Sequence, residues 1–232
     1  MTDDHKLDGA VIVTGGASGL GAAVAHAVRD AGGTPVVLDV QAPANGFRTI
    51  QVDLADARAA ERAVAEAAAA HDGLRGVVTA AGIDACGTLA DIDGAAWDRV
   101  IAVNLVGTAA VVRAALPHLE RSRGRVVTIA STLGLRALSD ATAYCASKFG
   151  VVGFSRALAV ELAGRVGVTM VVPGGMDTHF FDGRPEQYKP GPDAQLADPA
   201  HVARAVVFAL AQPPGFEIRE LAAMASTEPS WP

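Results

Sequence analysis

"AVIVTGGASGLG", Ala10 to Gly21, is a β-branched apolar run that passes without a break into a glycine-rich turn. Five such residues in a row suit a strand covered on both faces. The Ala- and Val-rich stretch that follows, about 19 to 31, suits a helix. Gly15 permits the tight turn, Gly19 lets the backbone approach a phosphate, and Gly21 allows the helix to pack closely. The helix start adds free N–H groups and a positive dipole end. With Ser18 and Leu20 between the glycines, this strand–turn–helix junction is a candidate dinucleotide cradle.

The same alternation repeats along the chain. Further strands are expected at 35–40, 47–53, 76–80, 125–130 and 168–172, and a last one at 216–221. Helices are expected at 56–70, 94–120, 142–165 and 199–211, with Asp53 or Asp56 available to cap the first of these. This alternation of strands and helices specifies an α/β fold, a doubly wound, mostly parallel sheet of the Rossmann type with right-handed crossovers. At 232 residues, with half of them apolar, the chain suits one domain over 1–232. The segment 175–198 interrupts the pattern with Gly, Pro and polar residues, as a substrate lid would. The prolines of "TEPSWP" leave 223–232 an irregular tail.

Composition narrows the function classes. A net charge of −6 and no basic run longer than "RSRGR" (121–125), read as a solvated loop, disfavour a nucleic-acid surface. No unbroken apolar run reaches membrane-spanning length, and the acidic start "MTDDHK" does not resemble an export leader. Cys86 and Cys145 have neither metal-ligand nor disulfide-framework spacing, which fits a cytoplasmic location.

Two further features carry chemistry. Eighteen residues after Gly21 the second strand ends in Asp39, whose carboxylate can accept both ribose hydroxyls of NAD and would repel the 2′-phosphate of NADP. Ala17, Ser18, Val40 and Gln41 offer no cation for that phosphate. The second feature is "AYCASKFG", 143–150, which sets one of two tyrosines, Tyr144, one helical turn before Lys148. Basic residues here are sixteen arginines against three lysines, so a compact ammonium at that place departs from the chain's habit. Two neighbours on a helix face would also read as an ordinary surface pair.

Taken together, "TGGASGLG", "TAAG" at 79–82, Asn104 in "VNLVG", Ser131, Tyr144 thirteen residues later, Lys148 and "PGGMDT" at 173–178 resemble the short-chain dehydrogenase/reductase family. The resemblance runs from about Asp8 to Leu221. It implies an oxidoreductase interconverting an alcohol and a carbonyl with NAD. Tyr144 would be the general acid/base, Lys148 its electrostatic partner and ribose ligand, and Ser131 the donor to the carbonyl oxygen. Asn104 would hold a water linked to Lys148. Asp53 and Leu54 would lie at the adenine, Ala81 and Gly82 along the cofactor wall, and Pro173, Gly174 and Thr178 on the nicotinamide side. An adjacent ammonium and the positive nicotinamide ring would stabilise the phenolate and draw the phenol's pKa down toward working pH.

Some residues depart from the family pattern or leave choices open. Ala80 stands where the family's turn carries asparagine, and the C-terminus lacks the usual Gly-Gly turn. Thr178 could equally cap a loop, and nothing in the chemistry requires His179. Phe180, Phe181 and Tyr188 in the lid, with Ile83, Leu133 and Leu138, suit a partly apolar small-molecule substrate or simply lid packing. Family likeness implies a homodimer or homotetramer built on helices 94–120 and 142–165. The competing readings are a noncatalytic NAD-binding sensor or scaffold, and an epimerase or dehydratase, which the short chain disfavours.

Overall fold

The computed structural model describes residues 6–42 and 46–231. Seven strands form one parallel sheet in the order β3-β2-β1-β4-β5-β6-β7. They are β1 (Ala10–Thr14), β2 (Thr34–Asp39), β3 (Arg48–Gln51), β4 (Gly76–Thr79), β5 (Arg125–Ile129), β6 (Gly167–Pro173) and β7 (Glu220–Ala223). Every residue of β1, β4 and β5 is buried, as their unbroken apolar runs require. Helices cover both faces. α1 (Gly19–Asp30) and α6 (Pro199–Leu210) bury Val24, Val28, Val202 and Val206 on one side. α2 (Ala57–Ala69), α4 (Thr108–Ser122) and α5 (Thr142–Glu161) bury Val64, Val111 and Leu158 on the other.

The strand order reverses between β1 and β4, and a crevice opens there at the carboxyl ends of the strands. Asp56 caps α2 by accepting from Arg58 N and Ala59 N, both at 2.9 Å. That leaves Asp53 facing the crevice.

Four expectations are corrected. The apolar stretch 94–120 is not one α-helix: α3 (Gly94–Ile101) and α4 are joined by a π-helical turn, Ala102–Gly107. Its extra residue breaks the i, i+4 pattern at Asn104, which apolar composition cannot reveal. Gly94–Ser122 is long and apolar enough to cross a membrane, yet it packs here as a helix of the domain. The last strand begins at Glu220 rather than 216, because Arg125 takes the carbonyls of Gln212, Pro213 and Phe216 and holds that segment as a loop.

Arg125 is also 5% exposed, so the "RSRGR" run is a helix end and a strand start, not a solvated loop. The tail after Ala223 has no regular structure, as expected, but it is not loose. It folds back over the crevice, with Thr132 Oγ1 and Ser230 Oγ 2.6 Å apart and Arg136 Nη1 donating to Pro229 O at 2.8 Å.

Candidate active site

The crevice is a cleft of about 1000 Å³ with two contrasting walls. One wall is the glycine turn. Gly15 adopts φ +70°, and a Cβ there would lie 2.7 Å from Ala81 Cα, so the turn needs glycine for both conformation and space. Its N–H donates to Leu38 O at 2.9 Å, which ties the turn to β2. Ser18 stands at the N-cap of α1 without capping it through its side chain, leaving the first helical N–H groups to the cleft. Gly15, Ser18, Gly19, Leu20 and Gly21 all line that wall. Asp39 closes it: Oδ2 accepts from Ala17 N at 2.9 Å and Oδ1 from Gln41 N at 3.0 Å.

Asp53, Leu54, Ala81 and Gly82 continue the same wall. Asp53 accepts from Ala55 N and Arg99 Nη2, each at 2.9 Å. The Ala55 amide first, then Arg99, hold its carboxyl below the usual range against partial burial. A cradle of backbone amides with a carboxylate at its far end has the donor set for a dinucleotide's diphosphate and ribose.

The opposite wall carries the titratable groups. Ser131 follows β5 and opens a 3-10 turn, its Oγ accepting from Leu133 N at 3.1 Å and sharing a hydrogen bond with the Tyr144 phenol. Tyr144 sits in the first turn of α5, and Lys148 Nζ lies 5.6 Å from its ring centre. Lys148 is 4% exposed and donates to Ile129 O at 2.9 Å. Burial pushes its pKa down to about 8.

The protein's own groups hold the Tyr144 pKa above the ordinary phenol value. Burial under the lid dominates and pushes it up to about 12; the Ser131 hydrogen bond opposes this, Asp84 adds to it, and Arg184 offsets part.

Asn104 is buried in the π-helical turn. Its side chain accepts from Ile83 N at 2.9 Å and donates to Ile83 O at 2.9 Å and Ser147 Oγ at 3.0 Å. The side-chain amide therefore clamps the Ile83 backbone. Thr178 lines the cleft, yet its hydroxyl accepts from Phe180 N at 3.4 Å and so caps the turn His179–Phe181. Pro173 and Gly174, at the end of β6, complete the floor.

The lid meets the site directly. Phe180 lies 5.6 Å from the Tyr144 ring, centre to centre, and Arg184 stacks over Phe180 and Phe181 at 4.9 and 4.7 Å. Arg184 Nη2 pairs with the buried Asp84 at 2.7 Å, latching the lid to the loop after β4. Tyr188, Leu133, Leu138 and Ile83 line the same end, and His179 pairs with Asp182. Asp84, Arg184 and Glu228 were not singled out by sequence. Each is a lone charge in an irregular segment, without a periodic or spacing signal.

The buried ammonium has a measurable cost. A pKa lowered from 10.5 to about 8 corresponds to roughly 3 kcal/mol at neutral pH, of which the lost bond to Ile129 offsets part. Lys148→Met is therefore expected to raise unfolding free energy by about 2 kcal/mol at pH 7 while removing turnover. The penalty is complete below about pH 8 and vanishes above 10.5, so the difference between variant and wild type should fade across that window. Denaturant titrations at several pH values would read it, and a destabilised variant at pH 7 would contradict it.

A family model for short chain dehydrogenases matches residues 9–189. The chain belongs to the short chain dehydrogenase family. This short chain dehydrogenase is 33% identical to 2-(S)-hydroxypropyl-CoM dehydrogenase 3 of Xanthobacter autotrophicus, over 91% of this chain and 93% of the relative. It is 36% identical to D-threitol dehydrogenase of Mycolicibacterium smegmatis, over 88% and 87%. Among solved structures, the ligand-free aldohexose dehydrogenase of Thermoplasma acidophilum matches with a TM-score of 0.84 at 26% identity, covering 95% of this chain and 93% of that one. An alcohol dehydrogenase from Thermococcus sibiricus, with a TM-score of 0.83 at 21% identity over 94% and 96%, shares the fold. The family assigns this dehydrogenase to the oxidoreductases that use a nucleotide cofactor.

Proposed function

We propose that the protein interconverts a secondary alcohol and a ketone with NAD, Tyr144 acting as general acid/base. The observation that carries this is the placement of Ser131, Tyr144 and Lys148 on one wall of a cleft whose other wall is the glycine turn and Asp39. When bound, the nicotinamide supplies or accepts the hydride. The residues handle the proton and the oxygen. In oxidation the phenolate of Tyr144 takes the hydroxyl proton; in reduction the phenol returns it to the developing alkoxide. Ser131 donates to that oxygen, and the Lys148 ammonium stabilises the phenolate. Lid closure by Phe180 and Phe181 excludes water, and with Ile83 and Leu133 favours a partly apolar substrate. Both curated relatives named above are dehydrogenases of hydroxyl-bearing compounds by name, which supports the class.

The cofactor preference rests on Asp39. Arg99, on that side of the cleft, is paired with Asp53, and no other arginine or lysine among the described residues lines that end. Wild type is expected to show a higher kcat/KM with NAD than with NADP, and Asp39→Ser to narrow that ratio by about tenfold, the effect of ~1.4 kcal/mol. An NADP preference in wild type would overturn the assignment. Steady-state rates with a panel of secondary alcohols and ketones test the activity itself; dinucleotide binding with no turnover on any of them would favour a binding module. This reading includes a homo-oligomer, supported by the apolar exposure of Val106, Phe149 and Val160 on the helices expected to pair, and a cytoplasmic location, supported by the unpaired Cys86 and Cys145.

A further inference from the structure

The tail places an acid where the resemblance puts the nicotinamide. Glu228 Oε2 accepts from Gly175 N at 2.7 Å. A Cβ on Gly174 would lie 2.8 Å from the Glu228 Cδ, so nothing but backbone separates the carboxylate from the end of β6. Oε1 accepts from Ser230 N at 3.1 Å and Ser230 Oγ at 2.6 Å. Partial burial alone would raise the Glu228 pKa, but these donors outweigh it and keep the group ionised. The strap around it is fixed on both sides: Thr132 Oγ1 meets Ser230 Oγ, Arg136 binds Pro229 O, and Thr227 Oγ1 donates to Gln195 Oε1 at 2.8 Å.

Among the described residues, none of the lysines, arginines or histidines pairs with Glu228, whereas Asp84 is paired with Arg184. Lys148, on the other wall, would by itself disfavour a positively charged ring. We propose that the Glu228 carboxylate selects the oxidised, positively charged nicotinamide dinucleotide over the reduced one, so that the resting protein loads NAD⁺ in preference to NADH. The charge of the ring is what differs between the two ligands, and a fixed anion on the cleft wall discriminates between them by simple Coulomb attraction. This rests on the dinucleotide reading above.

Calorimetric Kd values for NAD⁺ and NADH, without substrate, test it. Glu228→Gln keeps the shape and an acceptor for Gly175 N but removes the charge. It is expected to raise the ratio Kd(NAD⁺)/Kd(NADH) about tenfold. Glu228→Ser, at a half-exposed position, gives the same readout if the Gln variant does not stay folded. Ser230→Ala loosens the strap but keeps the charge, and should leave the ratio unchanged. A shift below about twofold in the uncharged variants, or an equal shift in Ser230→Ala, would overturn the selector while leaving dinucleotide binding intact. Failure of wild type to bind either form would instead remove the dinucleotide reading and this inference with it.

Discussion

Tyr144→Phe is expected to lower kcat about a thousandfold, within the usual range for loss of a general acid/base, while NAD and NADH binding changes little. The reason is the absence of a substitute. The Ser131 hydroxyl can donate to the substrate oxygen but is far too weak an acid to replace the phenol, and Lys148 is turned toward Ile129 O. Cys86, whose thiol donates to Asp84, has its pKa pushed up to about 11 by burial and by Asp84. The variant keeps the ring and its contact with Phe180, so the lid and the fold should be undisturbed. Stability should change by less than about 1 kcal/mol, since the ring stays in place and Ser131 Oγ keeps its bond from Leu133 N.

The pH dependence carries the same assignment. In the free protein the Tyr144 pKa is about 12, so the base form is scarce at neutral pH, and kcat/KM for alcohol oxidation should climb as pH rises through the neutral and mildly alkaline range. Folding stability contributed by this group runs the other way. Its raised pKa favours the folded state below the ordinary phenol value of 10, and that contribution is lost as pH rises from there through about 12. A Phe variant that retained a tenth of wild-type turnover, or kept the same pH slope, would remove Tyr144 from the chemistry.

What sequence could and could not anticipate follows from the range of the interactions. Val11 to Val13, Val77 and Val126 announce themselves as central strands because both faces of the sheet are covered, a local property of composition. The turn at Gly15 is legible for the same reason: strand, glycine and helix start are contiguous. By contrast, β7 is placed by Arg125, 87 residues away from Gln212, and no local pattern predicts that contact. Asn104 was found by its motif but its partners were not, because a π-helical turn and a plain helix have the same apolar composition. The sign of the Tyr144 shift depends on Phe180 folding over it from the lid. Glu228 joins the cleft only because the tail returns across Thr132 and Gly175.

Gly21→Ala and Gly94→Ala make the same chemical change and are expected to have opposite effects. Gly21 is buried at the start of α1, and its added Cβ would lie 2.5 Å from the Gly15 carbonyl carbon and 3.0 Å from Gly16 N. Both neighbours are backbone, and neither can give way freely. Gly15 is held at φ +70° by its bond to Leu38 O and by the approach of Ala81. The helix must therefore move off the turn, which separates the amides that form the cradle. Overpacking of this kind typically costs about 1–3 kcal/mol, and dinucleotide affinity should fall about a hundredfold because the donors lose their common focus. Gly94 is the exposed first residue of α3, with nothing within 4 Å of its added Cβ and Asp93 already capping the helix. There alanine restricts the unfolded chain and suits the helix, so stability should rise by about 0.5 kcal/mol with binding unchanged. Thermal unfolding and NADH titration of both variants decide the matter. Full NADH affinity in Gly21→Ala would show that the turn is a packing device and that the dinucleotide cradle lies elsewhere.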